Sequence, residues 1–377
     1  MTRIVAVLLH APSGSSALER FVEGGRRASA EDLTQALRPA VDEVVVVTDA
    51  PLWQASLDSL GATVVPPRHP FRFGDTLSQL VREHEIDVLL YFGSGSGGLL
   101  GPESTDELLA FAGQDGAGAL FNNYYSCDFA VVREARSLLK IALPPNDNGL
   151  GFALSDAGVP CHALRRSLET EFDVDTPTDL ILLNASGRGG PAMRAFLREH
   201  RLEHPTLSAV CDQLTDHTRT VHLSGRINPA IWAAFVPQVA CRTAGVTEGR
   251  GMRAYRDHRP LLLQRLLRED GPVAFFERLA ETADAAILDT RPMLAVRGVL
   301  PPPADRFASD LFLADRIADP DWRRFTKAAA TAPIPVLLGG HSLVAGGLRL
   351  LADVCWKGRS LARRLHPDPF KGRDPQT

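Results

Sequence analysis

Phe172-Asp173-Val174-Asp175-Thr176-Pro177-Thr178-Asp179-Leu180 reads as a strand end running into a helix start. Side chains two residues apart share one face of a strand, so Asp173 and Asp175 point the same way while Phe172 and Val174 pack inward. Thr176 then takes the N-cap, Pro177 the first helical position and Asp179 the third, a capping box with proline where it is best tolerated. Two carboxylates are thereby held at a rigid junction on the edge of a sheet, and hard oxygen donors there suit Mg²⁺ that also touches nucleotide phosphates. The plainer reading is that both acids decorate a helix N-terminus, where each is favoured by about 0.3–1 kcal/mol.

Working outward from this junction, the chain alternates strands with helices. Ile4–Leu9 and Glu43–Thr48 are continuous apolar runs of the kind found in strands buried on both faces. Thr63–Val65 and Asp87–Phe92 follow as further strands. Helices are expected at 31–38, 54–60 and 75–84, the first after a Gly/Ser-rich turn. This spacing predicts right-handed βαβ units and a mainly parallel sheet, with ligands bound beyond the carboxyl ends of its strands. The cluster Asn184-Ala185-Ser186-Gly187-Arg188-Gly189-Gly190-Pro191 breaks the pattern and reads as a boundary. The expected organisation is a first α/β domain over 1–184, a linker over 185–204, a second α/β domain over 205–356 and a disordered tail over 357–377.

The bulk numbers exclude several classes. The chain has 377 residues, 45% hydrophobic and 23% charged, so it is neither disordered nor membrane-like. A net charge of −4 gives no global attraction to nucleic acid or to anionic membranes. No apolar stretch approaches about 18 residues, and nothing near the N-terminus reads as a targeting segment. The five cysteines are scattered and never form a CxxC pair, which fits a reducing, cytoplasmic setting and five small buried thiols.

The 172–180 stretch resembles the D-x-D-T-P-x-D-L segment of the MobA-like nucleotidyltransferases, a group that includes enzymes similar to molybdenum-cofactor guanylyltransferase and 2-phospho-lactate guanylyltransferase. More loosely, the resemblance extends over residues 1–184, through Glu43–Thr48 and Gly149-Leu150-Gly151-Phe152. It implies a GT-A-like, Rossmann-like fold, an NTP and Mg²⁺ as ligands, and Asp173 as the metal-facing carboxylate with Asp175 beside it. Two places depart from the family pattern. The first loop, His10-Ala11-Pro12-Ser13-Gly14-Ser15-Ser16, lacks the family's Arg and Lys, although Ser13, Gly14 and Ser15 offer backbone donors to a phosphate. Arg20, Arg26 and Arg27 nearby read as a solvated helix face. In Ser96-Gly97-Gly98-Leu99-Leu100-Gly101-Pro102-Glu103, the alignment puts Ser96 where the family carries a metal-binding Asp. The glycine-rich loop with Gly95, Ser96 and Gly97 reads as a phosphate cradle or as a flexible loop.

The second half resembles no family that the sequence identifies. Candidate strands at 220–223, 239–246, 285–288 and 334–338 alternate with helices at 229–235, 260–268 and 272–282. Three strand-end loops are polar, and Arg226, Arg291 and His341 in them are expected to line one anion pocket, with pairing to surface carboxylates as the alternative. The leading expectation is a nucleotidyltransferase-like protein that binds an NTP and Mg²⁺ and acts on a phosphorylated or anionic small-molecule acceptor. The competing one is a catalytically degenerate nucleotide- or sugar-nucleotide-binding regulator or scaffold, supported by the missing acid and Lys. A third places the chemistry in the second half.

Overall fold

Short apolar runs without a polar side suit strands covered on both faces, and the computed structural model has two sheets. It describes residues 2–12, 14–247, 262–295 and 300–359. The first sheet holds β1 (Ile4–Leu9), β2 (Glu43–Val47), β3 (Thr63–Val65), β4 (Val88–Gly93), β5 (Gly118–Phe121), β6 (Phe129–Arg133) and β7 (Cys161–Ala163) in the order β3-β2-β1-β4-β6-β5-β7. Only β6 runs against its neighbours, so this α/β sheet is mainly parallel. The two-residue period sends Val5, Val7, Val45 and Val47 into one core and Ala6, Leu8, Val44 and Val46 into the opposite one.

The second sheet contains β8 (Thr220–Gly225), β9 (Arg242–Thr247), β10 (Ala285–Asp289) and β11 (Val336–Gly339), all parallel, in the order β11-β10-β8-β9. A third core joins the two halves. It takes Leu18, Phe21 and Val22 from the long helix Ala17–Leu37, Phe172 to Leu183 around the capped helix start, and Ile287, Leu337 and Leu338 from the second sheet. No described helix is long and apolar enough to cross a membrane. All five cysteines are free thiols, and burial pushes those of Cys211 and Cys241 up to about 11 and 12.

The structure departs from the sequence expectations in three places. The helix expected at 31–38 begins at Ala17, capped by Ser16, whose hydroxyl accepts the Glu19 N–H while the Glu19 carboxylate accepts the Ser16 N–H. Gly24 and Gly25 disguised it. They sit where a Cβ would come within 2.5 Å of the Phe196 ring and of Leu180, so their bareness serves helix packing. Residues 185–204, expected as a linker, contain the helix Pro191–Glu199, which buries Met193 and Leu197 against Ala17–Leu37. Its first turn is capped by Asp32, whose carboxylate accepts the N–H groups of Ala192 and Met193. Strands β5, β6 and β7 carry no long apolar signature and are absent from the sequence reading. Of the helices expected at 260–268 and 272–282, residues 262–268 and 272–282 are helical within Leu262–Thr282, broken at Gly271 with φ 78°, while 260 and 261 lie outside the described residues. The tail beyond Arg359 lies outside the described residues.

Two buried histidines set an acid limit on the fold. His204 is held neutral by its hydrogen bonds: Nε2 donates to Asp310 O at 2.9 Å while Nδ1 accepts from Thr206. Burial lowers His204 and His222 to about 4 from 6.5. The unfolded chain therefore binds protons first. Stability is fully present above pH 6.5 and falls as the pH drops toward 4, by roughly 2 kcal/mol per histidine between pH 7 and pH 5. Urea denaturation at both pH values checks this, and His222→Leu should flatten the dependence; an unchanged pH slope in that variant would refute the assignment.

Candidate active site at the ends of two sheets

The carboxyl ends of β1, β2 and β4 open onto a cleft of about 570 Å³, lined by Leu9 to Pro12, Asp49 and Gly93 to Ser96, and closed by Asp128, Asp173 and Asp175. Its floor is the extended segment 172–176. Val174 N–H donates to Gly95 O at 3.0 Å, and Ser96 pairs with Asp173 in an isolated antiparallel bridge. A Cβ on Gly95 would collide with the Asp173 carboxylate and come within 2.9 Å of Val174 O, so only glycine allows this approach. Arg26, expected on a solvated helix face, instead lines the cleft. Its Nε donates to Val174 O at 2.8 Å and its Nη2 reaches Asp175 Oδ1 at 3.4 Å.

The second half grips the other side of the same segment. Asp173 N–H donates to Ser342 Oγ at 3.1 Å, and Thr178 Oγ1 donates to Leu338 O at 2.8 Å. A Cβ on Gly346 would lie 2.5 Å from Phe172 N. Below the floor, Asp179 Oδ2 accepts from the N–H groups of Asp175 (3.0 Å) and Thr176 (2.7 Å), and from Thr176 Oγ1. Burial, with the charge of Asp175 adding to it, pushes the Asp179 carboxyl up to about 8.

Asp128 completes the site, and no sequence motif pointed to it. It lies at the mouth of the β5–β6 hairpin, where Asn122 clamps it: Oδ1 accepts the N–H groups of Asp128 and Phe129, and Nδ2 donates to Asp128 Oδ2 at 2.8 Å. One donor atom each from Asp128, Asp173 and His341 lies within 4.8 Å of the others. His341 follows β11. Its Nδ1 is 2.8 Å from Asp175 Oδ2, and its buried Nε2 makes no hydrogen bond. Burial raises the Asp175 carboxyl, but His341, then Arg26 and Arg226, outweigh it and hold it well below the usual carboxylate range. A hairpin read from the apolar runs Gly118–Phe121 and Phe129–Val132 would have exposed Asp128 as an acid at a strand end.

The other expected site residues fall as follows. Ser13 lies outside the described residues. Gly14 and Ser15 are exposed just before the helix N-cap. Gly95 and Ser96 line the cleft, but Ser96 is 2% exposed and its hydroxyl donates to Gly93 O (2.8 Å) and Asp128 O (3.1 Å). An acid at position 96 would face these two carbonyl oxygens. Gly97, at φ 74°, turns toward Phe92 and Leu33 in the core. The expected anion pocket of Arg226, Arg291 and His341 is replaced by ion pairs. Arg226 forks onto Asp289 (2.6 and 3.0 Å) and Arg291 onto Asp310 (3.1 and 2.8 Å), while His341 turns to Asp175. Both aspartates are fully buried, and charges this deep require opposite partners.

No protein-family model matches the chain, and no curated protein sequence does. Solved structures similar to it include a nucleotidyl transferase from Methanothermobacter (18% identity, TM-score 0.39, covering 52% of this chain and 99% of that one). They also include a putative nucleotide-diphospho-sugar transferase from Desulfovibrio desulfuricans (12%, TM-score 0.39, 53% and 95%) and a cytidylyltransferase from Leptospira borgpetersenii (12%, TM-score 0.36, 54% and 99%).

The Asn122 clamp makes a direct prediction. Asn122→Ala leaves two buried backbone N–H groups without their acceptor and should destabilise the chain by about 1–3 kcal/mol. Urea denaturation measures it, and an unchanged midpoint would mean the clamp is not holding the hairpin.

Proposed function

We propose that this protein is a GT-A-like nucleotidyltransferase that binds an NTP and a divalent cation in the first-sheet cleft and transfers the nucleotidyl group to a phosphorylated or otherwise anionic small-molecule acceptor. The observation that carries this reading is the convergence of Asp128, Asp173 and His341 at the carboxyl ends of a mainly parallel sheet. The donor set fits a cation: two carboxylates lie close to His341, whose buried Nε2 makes no hydrogen bond. The nearness of Asp128 to Asp173 supports an intact site over a degenerate one.

Nucleotidyl transfer rests chiefly on positioning and charge stabilisation. A bound dication would neutralise charge on the phosphates and polarise them. The chain's own residues fix the geometry. Asn122 aims Asp128, the Gly95–Val174 and Ser342–Asp173 hydrogen bonds immobilise Asp173, and Arg26 brings a guanidinium, 26% exposed, to the cleft wall. His10, on the cleft floor, does not supply a proton. Burial, followed by Arg27 and Arg26, lowers it to about 3, so it stays neutral, with Nδ1 on Ser94 Oγ at 3.0 Å. An acceptor that arrives already ionised needs no general base, which favours a phosphate or carboxylate nucleophile.

Thermal melting with each NTP, with and without a dication, tests the reading. At 100-fold excess over Kd the productive pair should add about 2.7 kcal/mol. Asp128→Asn and Asp173→Asn should each abolish the shift, and pyrophosphate release with a panel of phosphorylated acceptors should fall at least 100-fold. If no NTP raises the melting temperature with any dication, the reading is wrong.

A further inference from the structure

We infer that the cation is a first-row transition-metal dication rather than Mg²⁺, that His341 from the second sheet ligates it through Nε2, and that Asp175 is the positioning residue for His341 and not itself a ligand. This rests on reading the cleft as a cation site.

The argument begins with the lone pairs. The 2.8 Å contact engages His341 Nδ1 with Asp175 Oδ2, which leaves Nε2 as the nitrogen open to a ligand, and this buried Nε2 makes no hydrogen bond. The His341 side chain is 10% exposed, so water does not compensate freely. One donor atom of His341 lies within 4.8 Å of one each from Asp128 and Asp173. Two carboxylates and an imidazole nitrogen this close together form a donor set that a dication matches. The pattern of carboxylate, imidazole and metal is the usual way a ligating histidine has its tautomer fixed.

Both Asp175 oxygens are already committed, Oδ2 to His341 and Oδ1 toward Arg26, while its own N–H is held by Asp179. That makes Asp175 a brace. The donor set is then two carboxylate oxygens and one imidazole nitrogen. Mg²⁺ favours oxygen donors and keeps much of its water, whereas a nitrogen donor shifts preference toward the transition series.

The test uses the full chain, stripped by chelator and titrated without nucleotide with Mn²⁺, Zn²⁺ or Mg²⁺. Mn²⁺ and Zn²⁺ should each bind at least 10-fold more tightly than Mg²⁺, and pulsed EPR of the Mn²⁺ form should show ¹⁴N coupling from one imidazole. His341→Gln should abolish the coupling and weaken Mn²⁺ about 10–100-fold with Mg²⁺ affinity unchanged. Asp175→Asn should weaken Mn²⁺ over the same range, with Asp175→Glu recovering part of the loss; circular dichroism of each apo variant establishes that it is folded. Equal Mg²⁺ and Mn²⁺ affinity, or Mn²⁺ bound without ¹⁴N coupling, overturns the inference. Because no nucleotide is present, the two readings fail separately. Nitrogen-coupled Mn²⁺ in a chain that binds no NTP would leave this inference standing and remove only the nucleotidyl-transfer reading, whereas Mg²⁺-supported turnover without ¹⁴N coupling would do the reverse.

Discussion

Five extended residues, 172–176, hold the site together, because both halves of the chain bond to the same short piece of backbone. The Gly95 carbonyl takes the Val174 N–H from one side, the Ser342 hydroxyl takes the Asp173 N–H from the other, and Arg26 spans the remaining carbonyl. Such a segment has few ways to relax. Its side chains inherit their directions from backbone that is fixed on both edges, and this is how two carboxylates two residues apart acquire different roles. Asp173 faces the cleft, and Asp175 faces the imidazole.

The electrostatics follow from that crowding. Asp175, Asp289 and Asp310 alternate with His341, Arg226 and Arg291 where the strand ends of the second sheet meet the 172–176 segment. Burial opposes ionisation at each of the three acids, and the outcome differs with the partners. Arg226 and His341 keep Asp289 below its ordinary range, whereas Asp310 rises because burial outweighs Arg291. Isolated guanidinium groups at this depth would be costly, which is why strand-end arginines that look from sequence like phosphate ligands are spent on carboxylates.

Much of the fold was legible because it is local. The apolar runs of β1, β2, β4, β10 and β11, and the Thr-Pro-x-Asp start after Asp175, announce themselves through period and capping chemistry. What escaped was non-local. Gly24 and Gly25 resemble a loop until Phe196 and Leu180 are brought against them. β5 and β6 form an antiparallel hairpin with no helix between them, outside the strand–helix alternation of the rest of the sheet, and so Asp128 stayed hidden at their turn. Arg226 and Arg291 read as anion ligands because their partners lie 63 and 19 residues away in the chain. Ser96 sits beside Asp128, to whose backbone carbonyl its hydroxyl donates.

The glycine at 346 gives the arrangement a mechanical meaning. Gly346 opens the helix Gly346–Val354, and with the Phe172 backbone pressed directly on it there is no side-chain cushion between that helix and the floor of the cleft. His341 on one side of that contact and Asp128 and Asp173 on the other are thus brought together across a seam of bare backbone, which a methyl group at position 346 would pry open.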